Sequence, residues 1–363
     1  MTEELDTELQ PTDNEAFDAL LKEADDFILK KQLEALHREH LHQKIEPYIL
    51  RADHRLPPLR PVVKRGDALI CSEGNISAVV GEAKSKKTFL CTALVGSMLD
   101  AEGNRLFGIE KNFCRVLWID TEQSREHIQK ILFRINLMCS MPIDMDHIRV
   151  LTQTLREESP SKRLQLTDYA IDYYRPKLVV IDGVSDLLTN SNNLEESERL
   201  ISHLLTLSSL YSCHIMCVLH TNPNSDKARG HLGSTLMRKA ETVIFVHRVG
   251  EVSLVEPQYC RNMPFERFAF RVEEMDDAHI YGEQCVGLGV PVECEMPDES
   301  EQSKEDDCVR ILRDELGGMA ERKLLTNKMV ERLGITLNNA RVKVNRAIER
   351  GTVHLMGNCV RVI

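Results

Sequence analysis

The sequence predicts an α/β protein with a mostly parallel central sheet flanked by helices, preceded by a helical arm and followed by a small helical domain that ends in a hairpin. Three observations carry this reading. Seven short β-rich runs alternate with amphipathic stretches between residues 62 and 285, the pattern of crossover connections in a parallel sheet. A proline-rich segment precedes that block and a polar, acidic one follows it. The composition, 42% hydrophobic and 28% charged over 363 residues, is that of a globular chain with room for one large domain or two to three smaller ones.

Residues 1–61 are expected to form an acidic tail, a helical arm and a strap. Ten carboxylates against the single Lys22 fill residues 1–27, too much like charge to pack alone. From about Ala16 to Ile45, apolar residues such as Phe17, Leu20, Leu21, Phe27, Ile28, Leu33 and Leu36 recur at three- and four-residue steps, a helical period. His37, His40 and His42 lie on this arm without a cysteine or carboxylate motif to complete a metal site, and read as a solvated face. RLPPLRPVVKRGD then breaks the helix with three prolines and leads into the core.

The core, residues 62–285, contains the runs ISAVV (76–80), RVLWID (115–120), HIRVL (147–151), KLVVID (177–182), HIMCVLH (214–220), ETVIFVHR (241–248) and RFAFRVE (267–273). Residues 286–304, including VECEMPDESEQSKEDD, read as a linker. Residues 305–363 give three helical patterns and a hairpin bent at Gly357-Asn358, the layout of a winged helix-turn-helix.

Charge and hydropathy exclude several classes. The formal net charge is −11, so binding to nucleic acid or anionic lipid requires a local basic patch. No run approaches the ~18 apolar residues of a membrane helix. The eleven cysteines include no C-x-x-C pair and follow no secretory leader, which suggests reduced thiols in a cytoplasm.

The chemistry centres on GEAKSKKT, residues 81–88, which follows a strand and opens a helix. Unpaired N–H groups and the positive end of the helix dipole make such a position an anion site. The stretch Gly81, Glu82, Ala83, Lys84, Ser85, Lys86, Lys87 and Thr88 follows G-x-x-x-x-G-K-[ST], except that Lys86 stands in place of the second glycine. Lys87 is expected to reach the β and γ phosphates and Thr88 to ligate magnesium. Lys86 is expected to project away from the phosphates and to keep right-handed geometry at the helix start. Asp182 ends an apolar strand, where a carboxylate holds Mg2+ through water. Glu122 lies past the tip of RVLWID, as a general base orienting water or as an acid before a helix. His220 ends HIMCVLH ahead of Thr221 and Asn222, as a sensor of the γ-phosphate or as a satisfied strand-end histidine.

GEAKSKKT, IDTE, LVVID, VLHTN and CRNMPFERFAF, in this order and spacing, resemble a RecA-like ATPase core of the hexameric helicase branch (DnaB-like and plasmid RepA-like proteins) and the related AAA-type ATPases of bacterial mobile elements. The resemblance covers roughly residues 62–285. It implies ATP and Mg2+ as cofactors, Lys87, Glu122, His220 and Arg261 as catalytic residues, and a homo-oligomer, a hexameric ring, because Arg261 would act as an arginine finger on a neighbouring subunit. Tyr259-Cys260-Arg261-Asn262-Met263-Pro264 matches the K-x-R-N-G-P type segment at arginine, asparagine and proline; Arg267 is a second candidate. The resemblance also implies two channel-facing loops. The second, NPNSDKARGHLGSTLMRK, is the basic one and offers Lys227 and Arg229 to nucleic acid, or reads as a subunit contact.

A second nucleic-acid candidate lies at the end of the chain. Nine lysines and arginines from Arg322 onward face only Glu321, Glu331 and Glu349. The helix capped by Thr336 carries Asn338, Asn339, Arg341 and Lys343, side chains able to reach base edges or phosphates; a winged helix can equally dock a protein. The expectation is an ATP-hydrolysing, helicase-like DNA-handling protein in replication or mobilisation of a plasmid or mobile element, with partner proteins engaged through the N-terminal arm. The alternative is a nucleotide-gated DNA-binding regulator or loader with little motor activity.

Overall fold

A computed structural model describes residues 12–100, 102, 106–140, 149–222, 228–275, 278–297, 307–349 and 351–362. Two compact units divide the chain, residues 1–58 and 59–363. In the first, helix α1 (Thr12–Ile45) runs through the arm. Its apolar side chains, among them Phe17, Leu20, Phe27, Ile28, Leu33 and Leu36, are exposed.

The second unit begins with β1 (Pro61–Arg65) and β2 (Ala68–Ser72), an antiparallel pair. The proline-rich strap therefore ends inside the core, with Val62 and Val63 buried. A nine-stranded sheet follows. Its parallel part contains β3 (Ile76–Gly81), β4 (Val116–Asp120), β5 (Val150–Thr154), β6 (Leu178–Asp182), β7 (His214–His220) and β8 (Thr242–Val249). The antiparallel β9 (Val252–Cys260), β10 (Phe268–Glu274) and β11 (Gly289–Cys294) extend one side, giving the order β11-β10-β9-β8-β3-β7-β6-β4-β5.

Alternation along the strands explains why both faces are covered. Trp118 and Val116 of β4 enter one apolar cluster with Leu90, Leu94, Ile131 and Ile135. Those partners come from α2 (Lys87–Leu99) and α3 (Arg125–Met138). Leu117 and Ile119 point the other way, into a cluster with α4 (Pro160–Tyr174), α5 (Leu194–Tyr211) and α6 (Gly230–Lys239). On α5, Leu200, Ile201, Leu204 and Leu207 recur at helical steps and bury against the sheet, each contributing roughly 1.5–3 kcal/mol. Asn193 caps this helix by accepting from Glu196 N.

Two strands of the nine-stranded sheet are not among the runs read from the sequence. VSLVEPQYC forms β9, and residues 289–294, assigned above to the linker, form β11 at the sheet edge. β11 contains Pro291, which an edge strand tolerates because the N–H that proline lacks is not needed by a second neighbour. The strand read as HIRVL lies later, at Val150–Thr154.

The remaining described residues form a separate apolar cluster. It joins α7 (Asp307–Glu315), α8 (Arg322–Leu333) and α9 (Leu337–Glu349) with β12 (Met319–Glu321), β13 (Val353–Met356) and β14 (Cys359–Val362), a small antiparallel sheet of order β12-β14-β13. Gly334, at φ 63°, ends α8, and Thr336 Oγ1 accepts from Asn339 N at the start of α9 (3.3 Å). Among the described residues no helix is long and apolar enough to cross a membrane.

Candidate nucleotide site

The carboxyl ends of β3, β4, β6 and β7 deliver the predicted residues to one cavity of ≈ 390 Å³ lined by Lys84, Lys86, Lys87, Thr88, Glu122, Asp182 and His220, among others, a size that small-ligand sites share. Gly81 allows the loop to leave β3. A Cβ there would sit 2.1 Å from Val246 O on the neighbouring strand, so no larger residue fits. Gly183, at φ 96°, does the same between β6 and β4, since its Cβ would lie 2.2 Å from Thr121 Oγ1 and 3.0 Å from Glu122 Cγ.

Lys87 is nearly buried. Its Nζ donates to Gly81 O (3.0 Å) and Glu82 O (2.8 Å) and lies 3.1 Å from His220 Nδ1. Burial lowers its pKa, against the opposing pull of Asp182 and Glu122. Thr88 Oγ1 donates to Asp182 Oδ2 (2.7 Å), bringing together the two residues read as metal ligands. Asp182 is pushed up to about 7, mainly by burial, so a cation here would displace a proton near neutral pH.

Glu122 is presented by a turn that Asp120 braces. The Asp120 carboxylate accepts from Glu122 N (3.0 Å), Gln123 N (2.7 Å) and Gln123 Nε2 (2.8 Å). Burial raises the pKa of Asp120. Glu122 ends 3.9 Å from His220 Nε2. That ring lowers the glutamate's pKa against the effect of burial, which keeps a charged carboxylate facing the cavity. Glu122 lies outside helix α3, whose N-cap is Ser124.

Lys86 corrects the sequence reading: its backbone is left-handed, φ 68° and ψ 33°, where right-handed geometry was expected. Lys84 is left-handed too, at φ 66°. The turn that aims successive N–H groups at one point needs these conformations, and an L side chain there costs about 1–2 kcal/mol. The Lys86 side chain, which also borders the cavity, reaches out to a neighbouring turn. Its Nζ donates to Glu251 O (3.0 Å) at the β8–β9 turn, and Ser253 Oγ on β9 donates to Ser85 O (3.2 Å). Sequence reasoning missed this hairpin as a support for the loop, because β9 was not recognised as a strand.

Two buried hydroxyls close in sequence to lining residues, Ser85 Oγ and Thr221 Oγ1, have no hydrogen-bond partner among the described residues. Unsatisfied donors in the loop after β3 and just past β7 suit a polyanionic ligand. The residues present thus fit a nucleotide with Mg2+. The ion would supply charge neutralisation, held by Thr88 and Asp182.

Other predicted residues lie elsewhere. Arg261 follows β9, whose end pairs Cys260 with Thr242, whereas Gly81 pairs with Val246. Four residues of strand, ~13 Å, separate the two registers, which puts Arg261 at the sheet end away from its own phosphate loop. Arg267 lies 3.8 Å from Glu256. Lys227 falls outside the described residues; Arg229 opens α6, its N–H bonded to His220 O (2.9 Å). On α9, Asn338, Asn339 and Arg341 are exposed, but Lys343 Nζ pairs with Asp307 Oδ2 at 2.8 Å. Arg341 instead lines a cavity of ≈ 510 Å³ with Arg322, Lys323, Thr326, Asn358 and Glu321.

A strand, a glycine-rooted loop and a helix opening on Lys87 and Thr88, with carboxylates at the tip of β6 and just past β4, define a P-loop nucleotide-binding domain of α/β type. Residues 38–226, just over half of the chain, match the family model of the AAA domain. The chain belongs to that family, and with it to the P-loop ATPases. No curated protein matches it. The match ends before β8, so Arg261 and the C-terminal segment stand outside it.

Proposed function

We propose that this protein is an oligomeric, RecA-like ATPase that couples ATP hydrolysis to DNA handling, in the replication or mobilisation of a plasmid or mobile element. The observation that carries it is the convergence of Lys87, Thr88, Asp182, Glu122 and His220 on one cavity. In this reading Gly81 to Thr88 bind the phosphates, and Thr88 and Asp182 hold Mg2+. Glu122 orients the attacking water, with His220 between that carboxylate and Lys87 as a reporter of phosphate occupancy. Arg261 completes the site of a neighbouring subunit, because it lies too far from its own.

DNA contact is assigned to the loop around Arg229 and Lys227 and to the C-terminal segment, read as a winged helix. There the exposed Asn338, Asn339 and Arg341, with Arg322 and Lys323, offer a basic face, while Lys343 serves the domain's own packing. Such contacts release counterions, so duplex affinity is expected to fall steeply with salt, and Arg341→Ala to flatten that slope by roughly one unit. The test of the whole reading is ATP turnover with and without single- and double-stranded DNA, in wild type and Glu122→Gln. DNA-stimulated turnover that the substitution abolishes supports the reading. DNA-independent turnover overturns the coupling.

The left-handed Lys86 favours a second reading, a nucleotide-gated DNA-binding regulator or loader. Tight ATP binding with negligible turnover selects it; strand unwinding lost in Lys87→Ala selects the motor.

A further inference from the structure

At the sheet end away from the phosphate loop lies a buried polar cluster that nucleotide binding does not use. Glu241 is 3% exposed and His214 is fully buried. The Glu241 carboxylate accepts from Ser72 N (3.0 Å), Ser72 Oγ (2.7 Å) and Asn262 Nδ2 (2.9 Å). Asn75 Nδ2 in turn donates to Ser72 Oγ (2.9 Å). His214 is 3.9 Å from Glu241, but its ring is engaged by Ser72 O and Ser77 Oγ, both at 2.9 Å. Burial pulls the pKa of that ring down to about 4, so it is neutral at physiological pH and adds no counter-charge. A buried carboxylate held by dipoles is expensive to keep, and its position next to the Arg261 segment supplies a reason for keeping it.

The same junction holds Arg261 at three points. Arg261 N donates to Glu241 O (2.9 Å), Arg261 Nη2 donates to Lys239 O (3.0 Å), and the next residue, Asn262, is bonded through its side chain to the Glu241 carboxylate. Residues 261–267 form no helix or strand, and Tyr259 and Met263 around them are exposed. Without the bond from Asn262, the chain after β9 has one anchor fewer against loop motion.

We propose that Glu241 and Asn262 are positioning residues for Arg261: the buried carboxylate grips Asn262 and thereby fixes the backbone from which the guanidinium is presented to a neighbouring subunit's nucleotide. This rests on the reading of Arg261 as a finger in trans. A group acting on a transferring phosphoryl must be held within a fraction of an ångström, and a displacement of about 1 Å can lower the rate ~10²-fold.

The experiment measures steady-state ATP turnover by the full chain for Arg261→Ala, Asn262→Ala, Glu241→Gln and the Arg261→Ala/Asn262→Ala double variant, with thermal melting of each. Asn262→Ala is expected to lower kcat at least five-fold with KM for ATP unchanged, and to add nothing in the Arg261→Ala background. Mixing Asn262→Ala chains with Lys87→Ala chains, which keep Arg261 intact, is expected to raise turnover at least two-fold over the sum of the two separately. A wild-type kcat in Asn262→Ala beside a depressed Arg261→Ala overturns the positioning role alone. A wild-type kcat in Arg261→Ala overturns the finger and the positioning role together. Loss in Asn262→Ala that mixing does not restore, with a lowered melting temperature, assigns the contact to folding and also overturns the proposal. Glu241→Gln is expected to follow Asn262→Ala; should it fail to fold, Asn262→Ala decides.

Discussion

The two ends of the sheet hold their buried carboxylates in different ways, Asp182 by one side-chain donor and Glu241 by three donors. At the carboxyl end, Ser85 Oγ and Thr221 Oγ1 are buried without partners among the described residues, and Asp182 is pushed to about 7. At the amino end, Glu241 is buried just as deeply, yet Ser72 and Asn262 give it three donors. Unsatisfied buried groups destabilise a fold; Thr242 Oγ1 at the amino end is another, so the contrast lies in how the two carboxylates are held. Satisfied ones hold backbone in place. The difference separates the end of the sheet that binds from the end that braces.

The largest effect expected from this contrast is on turnover. Glu122→Gln keeps the shape of the binding end and removes its charged carboxylate; ATP hydrolysis should fall ~10²–10⁴-fold, with nucleotide binding retained in a filter or fluorescence assay. Next comes a pH effect. The native pKa of Asp182 is raised from the ordinary 3.8 to about 7, so the native state binds its proton more tightly than the unfolded chain does. The contribution of Asp182 to nucleotide-free stability is therefore fully present below about pH 4 and is lost as pH rises through about 7, by up to ~4 kcal/mol. Denaturant titrations of Asp182→Asn should lack that slope, and Mg·ATP should diminish it in wild type. A smaller pair of substitutions tests the contrast itself. Ser72→Ala, at the bracing end, should destabilise by ~1–3 kcal/mol whether or not nucleotide is present. Ser85→Ala, at the binding end, should raise nucleotide-free stability by up to ~1–3 kcal/mol, because it removes a buried hydroxyl without a partner, and should weaken nucleotide binding. Equal destabilisation by both would erase the distinction.

Much of the binding end was legible because its chemistry is local in sequence. GEAKSKKT, Glu122, Asp182 and His220 each sit at a strand tip, and parallel strands bring their tips to one edge. The backbone of Lys86 was not legible: nothing in the residue type announces a left-handed conformation that tertiary contacts enforce, here those of the β8–β9 turn. The antiparallel extension was obscured for a different reason. β9 has a proline and a half-buried carboxyl-terminal half that does not alternate, β11 has Pro291 at the edge, and both dilute the alternation that marks a strand. The bracing end was invisible, since Ser72, His214, Glu241 and Asn262 are scattered over 190 residues and only the fold gathers them. Arg341 and Lys343 carry like charges two positions apart; helical geometry sends the first to the surface and the second to Asp307.

Calorimetric titration of the full chain with Mg·ATP tests the central claim most directly, that the carboxyl end of the sheet binds a nucleoside triphosphate. Saturable uptake at one site per chain, abolished in Lys87→Ala while the variant's circular dichroism stays native, is the predicted result. A flat titration of the folded wild-type protein would contradict the account.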